Sequence, residues 1–257
     1  MTKRILWIML LSLWLVSCQK DSPVMVATPF ELDIPAGFPE MQIPEENQLT
    51  EERVALGKKL FFDPALSRDY TISCASCHLQ SLAFTDAQAL SIGIAQRVGL
   101  RNSSTLTNVG FHPYFFAEGG SPSLELQAIG PIENPDEMDF TARELEDRLV
   151  LDEEYNKLAQ EAYGRPMSIW VLVRALSSFE RTMISGSSPY DLYVSEGQND
   201  RLNSEAVVGM NLFFSDRLQC ATCHPAPLFT DFSLQNIGLA GYERDAGRFR
   251  VTLDSAD

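Results

Sequence analysis

The six residues Ser73-Cys74-Ala75-Ser76-Cys77-His78 constrain this chain more than any other stretch, and they return as Gln219-Cys220-Ala221-Thr222-Cys223-His224. Cys-x-x-Cys-His is the attachment pattern for c-type haem: two thiols add to the vinyl groups of one porphyrin, and the next imidazole becomes an axial ligand of its iron. Two copies predict two covalently bound c-type haems. Cys74, Cys77 and His78 would hold the first and Cys220, Cys223 and His224 the second, with His78 and His224 as the iron ligands. The flanks repeat as well. Gly57-Lys58-Lys59-Leu60-Phe61-Phe62 precedes the first motif and Gly209-Met210-Asn211-Leu212-Phe213-Phe214 the second, while Phe84-Thr85-Asp86 and Ile92-Gly93 recur as Phe229-Thr230-Asp231 and Ile237-Gly238. Offsets of 145 to 152 residues throughout point to an internal duplication of a haem-binding unit. Zinc is the competing reading of paired Cys-x-x-Cys, but a zinc knuckle gathers four ligands in space, and these pairs lie 146 residues apart with a histidine each. A disulfide framework has little to work with, since four of the five cysteines belong to the motifs.

At 257 residues the chain has room for two haem domains of ordinary size. A formal charge of -15 excludes nucleic acid as a partner, because phosphates need a basic face. The acidic surface suits steering of a basic electron-donor protein, and equally suits plain solubility.

Residues 1–17 read as a secretory signal, with Lys3 and Arg4 ahead of an apolar run. The run ends in Leu15-Val16-Ser17-Cys18, which resembles a bacterial lipobox, so Cys18 is expected to carry a lipid on the periplasmic side of an envelope membrane. The alternative is an ordinary signal peptide. Residues 18–48, with five prolines, read as a tether and extended arm. Thr50 is expected to cap a helix bearing Val54, Leu56 and Leu60 that leads into the first motif. After His78 little periodicity remains until Leu124. Helices are then expected over 123–129, from a capping box at Thr141 and Glu144, over 152–163, over 167–184 with Trp170 as core, and from a cap at Ser204 into Phe213-Phe214. No alternating strand pattern competes. The fold class is mainly α: two cytochrome c domains, 49–164 and 165–257, related by duplication.

Leu60-Phe61-Phe62-Asp63 through the first haem motif, Arg101-Asn102-Ser103-Ser104-Thr105-Leu106, Gly119-Gly120, Leu124-Glu125-Leu126-Gln127-Ala128, Pro131, Asn134-Pro135-Asp136-Glu137-Met138, Phe179-Glu180-Arg181-Thr182 and the second haem motif together resemble the bacterial di-haem cytochrome c peroxidases, a family that includes the methylamine-utilisation oxidases. The resemblance runs from about Thr50 to the end. It implies reduction of hydrogen peroxide at the His78 haem. Electrons would come through the His224 haem from a soluble cytochrome c or small copper protein. Gln127 and Glu137 match the family's distal glutamine and glutamate. A carboxylate there takes a proton from one peroxide oxygen and returns it to the other, and Gln127 orients the peroxide. Asn102 matches a calcium ligand between the domains, and a homodimer is compatible with the family. Membrane association is expected through the lipid alone.

Three departures qualify the resemblance. Ile94 stands where many members carry a histidine that ligates the first iron at rest, so that haem is expected to be open without prior reduction, as in the oxidase branch; His112 is read as a surface or supporting residue. Ala117, after Phe115-Phe116, replaces a tryptophan between the haems. Members also continue beyond the position of Asp257, so the second domain is expected to be incomplete, without its distal ligand. Tyr242 is a poor substitute for that ligand. The chain is then either a piece of a longer protein or a short variant with an open second haem. An electron-transfer cytochrome with two closed haems, a di-haem oxidase acting on a protein or organic substrate, and an inactive remnant stay as alternatives.

Overall fold

A computed structural model describes residues 27–236 and 246–254. Its organising contact is between α1 (Glu51–Phe61) and the later helix α7 (Ile169–Glu180). Thr50 begins α1 as expected: its side chain accepts from the amide of Arg53 at 3.3 Å, and Glu51 and Glu52 complement the positive end of the helix. Val54, Leu56, Leu60 and Phe61 turn inward. Opposite them Val171, Leu172, Ala175 and Leu176 of α7 are buried. Gly57 lets the two backbones meet, because a Cβ there would stand 1.9 Å from the carbonyl oxygen of Ala175. Each fully buried leucine or phenylalanine at this interface contributes roughly 1.5–3 kcal/mol.

Between them come α2 (Cys74–Cys77), α3 (Leu124–Gln127), α4 (Ile129–Glu133), α5 (Ala142–Leu149) and α6 (Glu153–Tyr163). The helix expected over 123–129 is instead two short ones broken at Ala128. Pro131 has no N–H to donate back to Gln127, so α3 stops and a new helix starts with Pro131 in its first turn. The capping box at Thr141 and Glu144 opens α5, Asp152 caps α6, and Gly164 ends α6 at φ +66°. Helix α7 is shorter than expected and begins after its cap, Ser168. It packs on α1, α3 and α5, so the buried core runs through the expected boundary between 164 and 165. Trp170 is half-buried against that core, flanked by the guanidinium groups of Arg165 and Arg174.

Helices α8 (Pro189–Ser195), α9 (Ser204–Phe213) and α10 (Phe249–Thr252) complete the set. The cap of α9 is Asn203 rather than Ser204, its side chain accepting from Ala206 at 2.8 Å. Among the described residues there is no strand, only isolated bridges such as Pro29 to Thr50 and Leu79 to Thr85. Among the same residues no helix is long and apolar enough to cross a membrane. The expected signal 1–17, the lipid site Cys18, Ile237-Gly238 and Tyr242 lie outside the described residues.

The segment before Thr50 is tied down where it is described. Asn47, in a 3-10 turn (Glu45–Asn47), is completely buried. Its amide group donates to Glu125, to Ser177 and to the carbonyl of Arg174, each at 3.1 Å. Glu125 also accepts from Arg181 at 2.7 Å. This buried polar network fastens the arm, α3 and α7 together.

Candidate haem-binding site

The first motif occupies one turn of helix, closed by the amide of His78 donating to the carbonyl of Cys74 at 3.0 Å. Upstream, Ser76 Oγ accepts from the amide of Ser73 at 3.0 Å and fixes the entry. The approach along 64–70 is held from α5. The guanidinium of Arg148 donates to the carbonyls of Ala65, Ser67 and Arg68 at 2.7–2.9 Å and stacks on Tyr70 and Phe140. Nothing local in the sequence pointed to Arg148, because its partners lie about eighty residues away.

The His78 imidazole is half-buried, and its Nδ1 donates to the carbonyl of Phe84 at 2.8 Å. A carbonyl only accepts, so the bond sets the tautomer and puts a lone pair on Nε2, which could ligate iron and which Ser103 Oγ approaches at 3.3 Å. Burial pulls the His78 pKa down, which favours the neutral ligating form. Ser103 Oγ stands 3.1 Å from Nδ1. Phe61 packs its ring against His78, Phe84 and Phe179. To aim its carbonyl Phe84 adopts φ +59°, a left-handed conformation disfavoured for a residue with a side chain.

The second motif repeats this arrangement. His224 donates from its amide to Cys220 at 3.0 Å and from Nδ1 to the carbonyl of Phe229 at 2.9 Å, with Phe229 at φ +55°. Phe213, Phe214, Phe229 and Tyr190 form its aromatic wall. The surroundings differ. His224 and Cys223 are exposed, no residue of α9 is buried, and the apolar hollow lined by Met210, Phe213 and Phe229 is open.

All four thiols are free. Burial pushes Cys74 up to about 12 and Cys77 up to about 11, so both are held as thiols. Among the described residues no three His, Cys, Asp or Glu side chains converge as a metal cluster. In neither motif, therefore, do the two thiols and the imidazole close on one point as a zinc site requires. Thiols spaced along a turn, an imidazole beyond its end and adjoining apolar walls fit a haem.

Glu137 comes close enough to Cys77 for its charge to raise that thiol. It is held from two sides: Asn134 Nδ2 donates to its carboxylate at 2.6 Å, and its carbonyl accepts from the amide of Ile94 at 2.8 Å. Gly93 makes the second contact attainable, since a Cβ there would meet the carbonyl oxygen of Asp136 at 2.1 Å. Burial raises the Glu137 carboxyl above the usual glutamate range; Asn134 opposes this and Asp136 adds to it. Ile94 itself is buried at 3% exposure.

Gln127 ends α3 half-buried, and among the described residues no contact joins its side chain to Glu137. Asn102 is exposed and donates to the carbonyl of Ser103 at 3.3 Å. His112 lies edge-on to Phe232, ring centres 4.9 Å apart, away from the first motif. Phe116, at φ +63°, lays its ring over Gly130.

A family model described as di-haem cytochrome c peroxidase matches residues 51–200. The chain is 37% identical over 209 residues to the methylamine utilization protein MauG of Methylorubrum extorquens, an alignment covering 80% of this chain and 59% of that one. It is 34% identical to the cytochrome c551 peroxidase of Nitrosomonas europaea, covering 100% of this chain and 75% of the relative. The crystal structure of a MauG-like protein associated with microbial copper homeostasis superposes with a TM-score of 0.78 at 29% identity, over 88% of this chain and 72% of the other. The chain thus spans under two thirds of the MauG relative's length.

Proposed function

Because the chain belongs to the di-haem cytochrome c peroxidase family, we propose that it reduces hydrogen peroxide to two waters, consuming two electrons and two protons, with two covalently held c-type haems. The observation that carries this reading is a carboxyl, Glu137, of raised pKa beside a haem-attaching cysteine and braced by Asn134 and Ile94. When bound, the haem supplies the electron-transfer chemistry at iron. The chain supplies the rest. His78 is orientated for ligation by Phe84, Cys74 and Cys77 anchor the porphyrin, and Glu137 moves a proton between the peroxide oxygens. Gln127 donates from its amide to the peroxide. Cys220, Cys223 and His224 hold the electron-entry haem, and the repeated His224 to Phe229 bond supports a duplicated unit. A soluble cytochrome c or small copper protein is the donor, Asn102 is a calcium ligand, and Cys18 anchors the protein to the periplasmic side of a membrane.

The test is oxidation of reduced cytochrome c by the haem-loaded chain when peroxide is added. Turnover that disappears in a Cys74→Ala/Cys77→Ala variant is expected. A chain with both haems attached and no peroxide-dependent oxidation would overturn the proposal.

Buried Ile94 favours a second reading, a di-haem oxidase acting on a protein or organic substrate. If the first haem is open at rest, peroxide is consumed without prior reduction. Ile94→His should then impose a need for prior reduction.

A further inference from the structure

Glu180 ends α7 at 5% exposure, and nothing proposed above uses it. Its Oε2 is buried without a hydrogen-bond partner. The neighbouring pair gives it no hydrogen bond: Arg181 donates from Nη1 to Glu125, which also accepts from Asn47 and Ser177, and the buried Nε of Arg181 is without a partner as well. A buried carboxylate left in this way is costly unless it is neutralised. The carboxyl lies within electrostatic reach of Cys74, whose thiol its charge raises. The adjoining Phe179 packs on Phe61, and Phe61 on His78. Cys74 would attach the porphyrin and not ligate iron, so Glu180 lies near the point where the covalent edge of the first haem would be anchored.

We propose that Glu180 is the proton acceptor coupled to the first haem, binding one proton when that haem gains an electron and releasing it when the electron leaves. A one-electron donor supplies the electron and solvent the proton; the carboxylate becomes the neutral acid, and the net charge of the buried site is unchanged. Two charges act on the carboxyl, Arg181 just past the end of α7 and Glu125 from α3. The titratable group facing it from α2 is Cys74, a thioether once haem is attached, and among the described residues no charge from α1 or α5 acts on it. Burial pushes the carboxyl up to about 8, Arg181 opposes this and Glu125 adds to it. A ferric site with its extra positive charge pulls that value down and a ferrous one lets it rise, so the proton follows the electron near neutral pH. The inference rests on haem attachment at Cys74 and not on peroxide turnover.

The experiment is a redox titration of the haem-loaded full chain across pH, without peroxide. The first-haem wave is identified as the one that persists in a Cys220→Ala/Cys223→Ala variant. Its midpoint is expected to fall with rising pH, by up to about 59 mV per unit where one proton follows one electron. In Glu180→Gln the wave should flatten near its acid-side value, and the other wave should not move. Glu180→Asp should keep a slope. The infrared difference between reduced and oxidised wild type should show a protonated-carboxyl band that grows on reduction and shifts in deuterium oxide. If the Gln variant fails to load haem, the band decides the matter by its change of frequency in Glu180→Asp, which a band from Glu137 would not show. A flat wild-type wave, a slope undiminished in Glu180→Gln, or no carboxyl band would overturn the inference. Failure of wild type to attach haem at Cys74 would instead sink the haem reading beneath it.

Discussion

Glu137 gains its chemistry from how it is held. A carboxyl in water would stay ionised at neutral pH and act as a weak base, whereas burial lifts this one, the Asn134 amide holds the carboxylate, and the Ile94 amide fixes the backbone that carries it. Its base form exists above the raised pKa. Peroxide turnover should therefore fall as pH drops through a value above the ordinary glutamate range, which a kcat profile against pH would show. Because the folded state holds this proton more tightly than the unfolded chain, the group's contribution to stability is lost as pH rises through the same window. Glu137→Gln should lower kcat by about 10²–10⁴-fold with unchanged haem absorption. A loss under tenfold would remove Glu137 from proton transfer. The sequence singled out Glu137 because the resemblance passes through 134–138. Its support was not, since neither the Gly93 approach nor the Ile94 bond leaves a local mark.

At the scale of helices, the α1 to α7 contact makes an unusual sign prediction. Alanine normally stabilises a helix relative to glycine by roughly 0.5–1 kcal/mol. At Gly57 the added methyl would collide with the backbone of α7, which cannot rotate away, so Gly57→Ala should destabilise by about 1–3 kcal/mol in denaturant unfolding. Gly209, at the corresponding place in α9, has open space around it among the described residues, and there Gly209→Ala should be neutral or slightly stabilising. Equal effects at the two sites would refute the packing argument. Starts of helices were legible where caps are local: Thr50, Thr141 and Asp152 all act within three residues, whereas the helix expected from Met167 begins only after Ser168. Pro131 moved a boundary through a missing donor, and Asn203 took a cap expected of its neighbour. The Asn47, Glu125, Ser177 and Arg181 network escaped notice because its hydrogen bonds span 52 to 130 residues. Only Ser177 and Arg181 stand at a helical spacing, and nothing in the sequence links that pair to Asn47 or Glu125.

Across the molecule, the two haem motifs stand in unequal company. Among the described residues the buried hydrophobic core runs from Met41 to Met183, and the first motif leans on it through Cys74 and Phe61. Around the second, the apolar side chains of Leu212, Phe214, Leu218 and Phe229 are exposed. A porphyrin tethered at Cys220 and Cys223 would lie on them. The core does not depend on that porphyrin, so Cys220→Ala/Cys223→Ala should still fold, attach one haem by intact mass, and keep its far-ultraviolet helix signal. What it should lose is the cover: increased binding of a hydrophobic dye and a concentration-dependent rise in particle size are expected relative to wild type. Glu180 and Glu137 both lie on the first side, so the variant's remaining haem should keep its pH-dependent potential. If this variant instead loses its helical signal or both haems, the second motif takes part in folding the first, and the separation of a self-supporting core from a haem-covered extension fails.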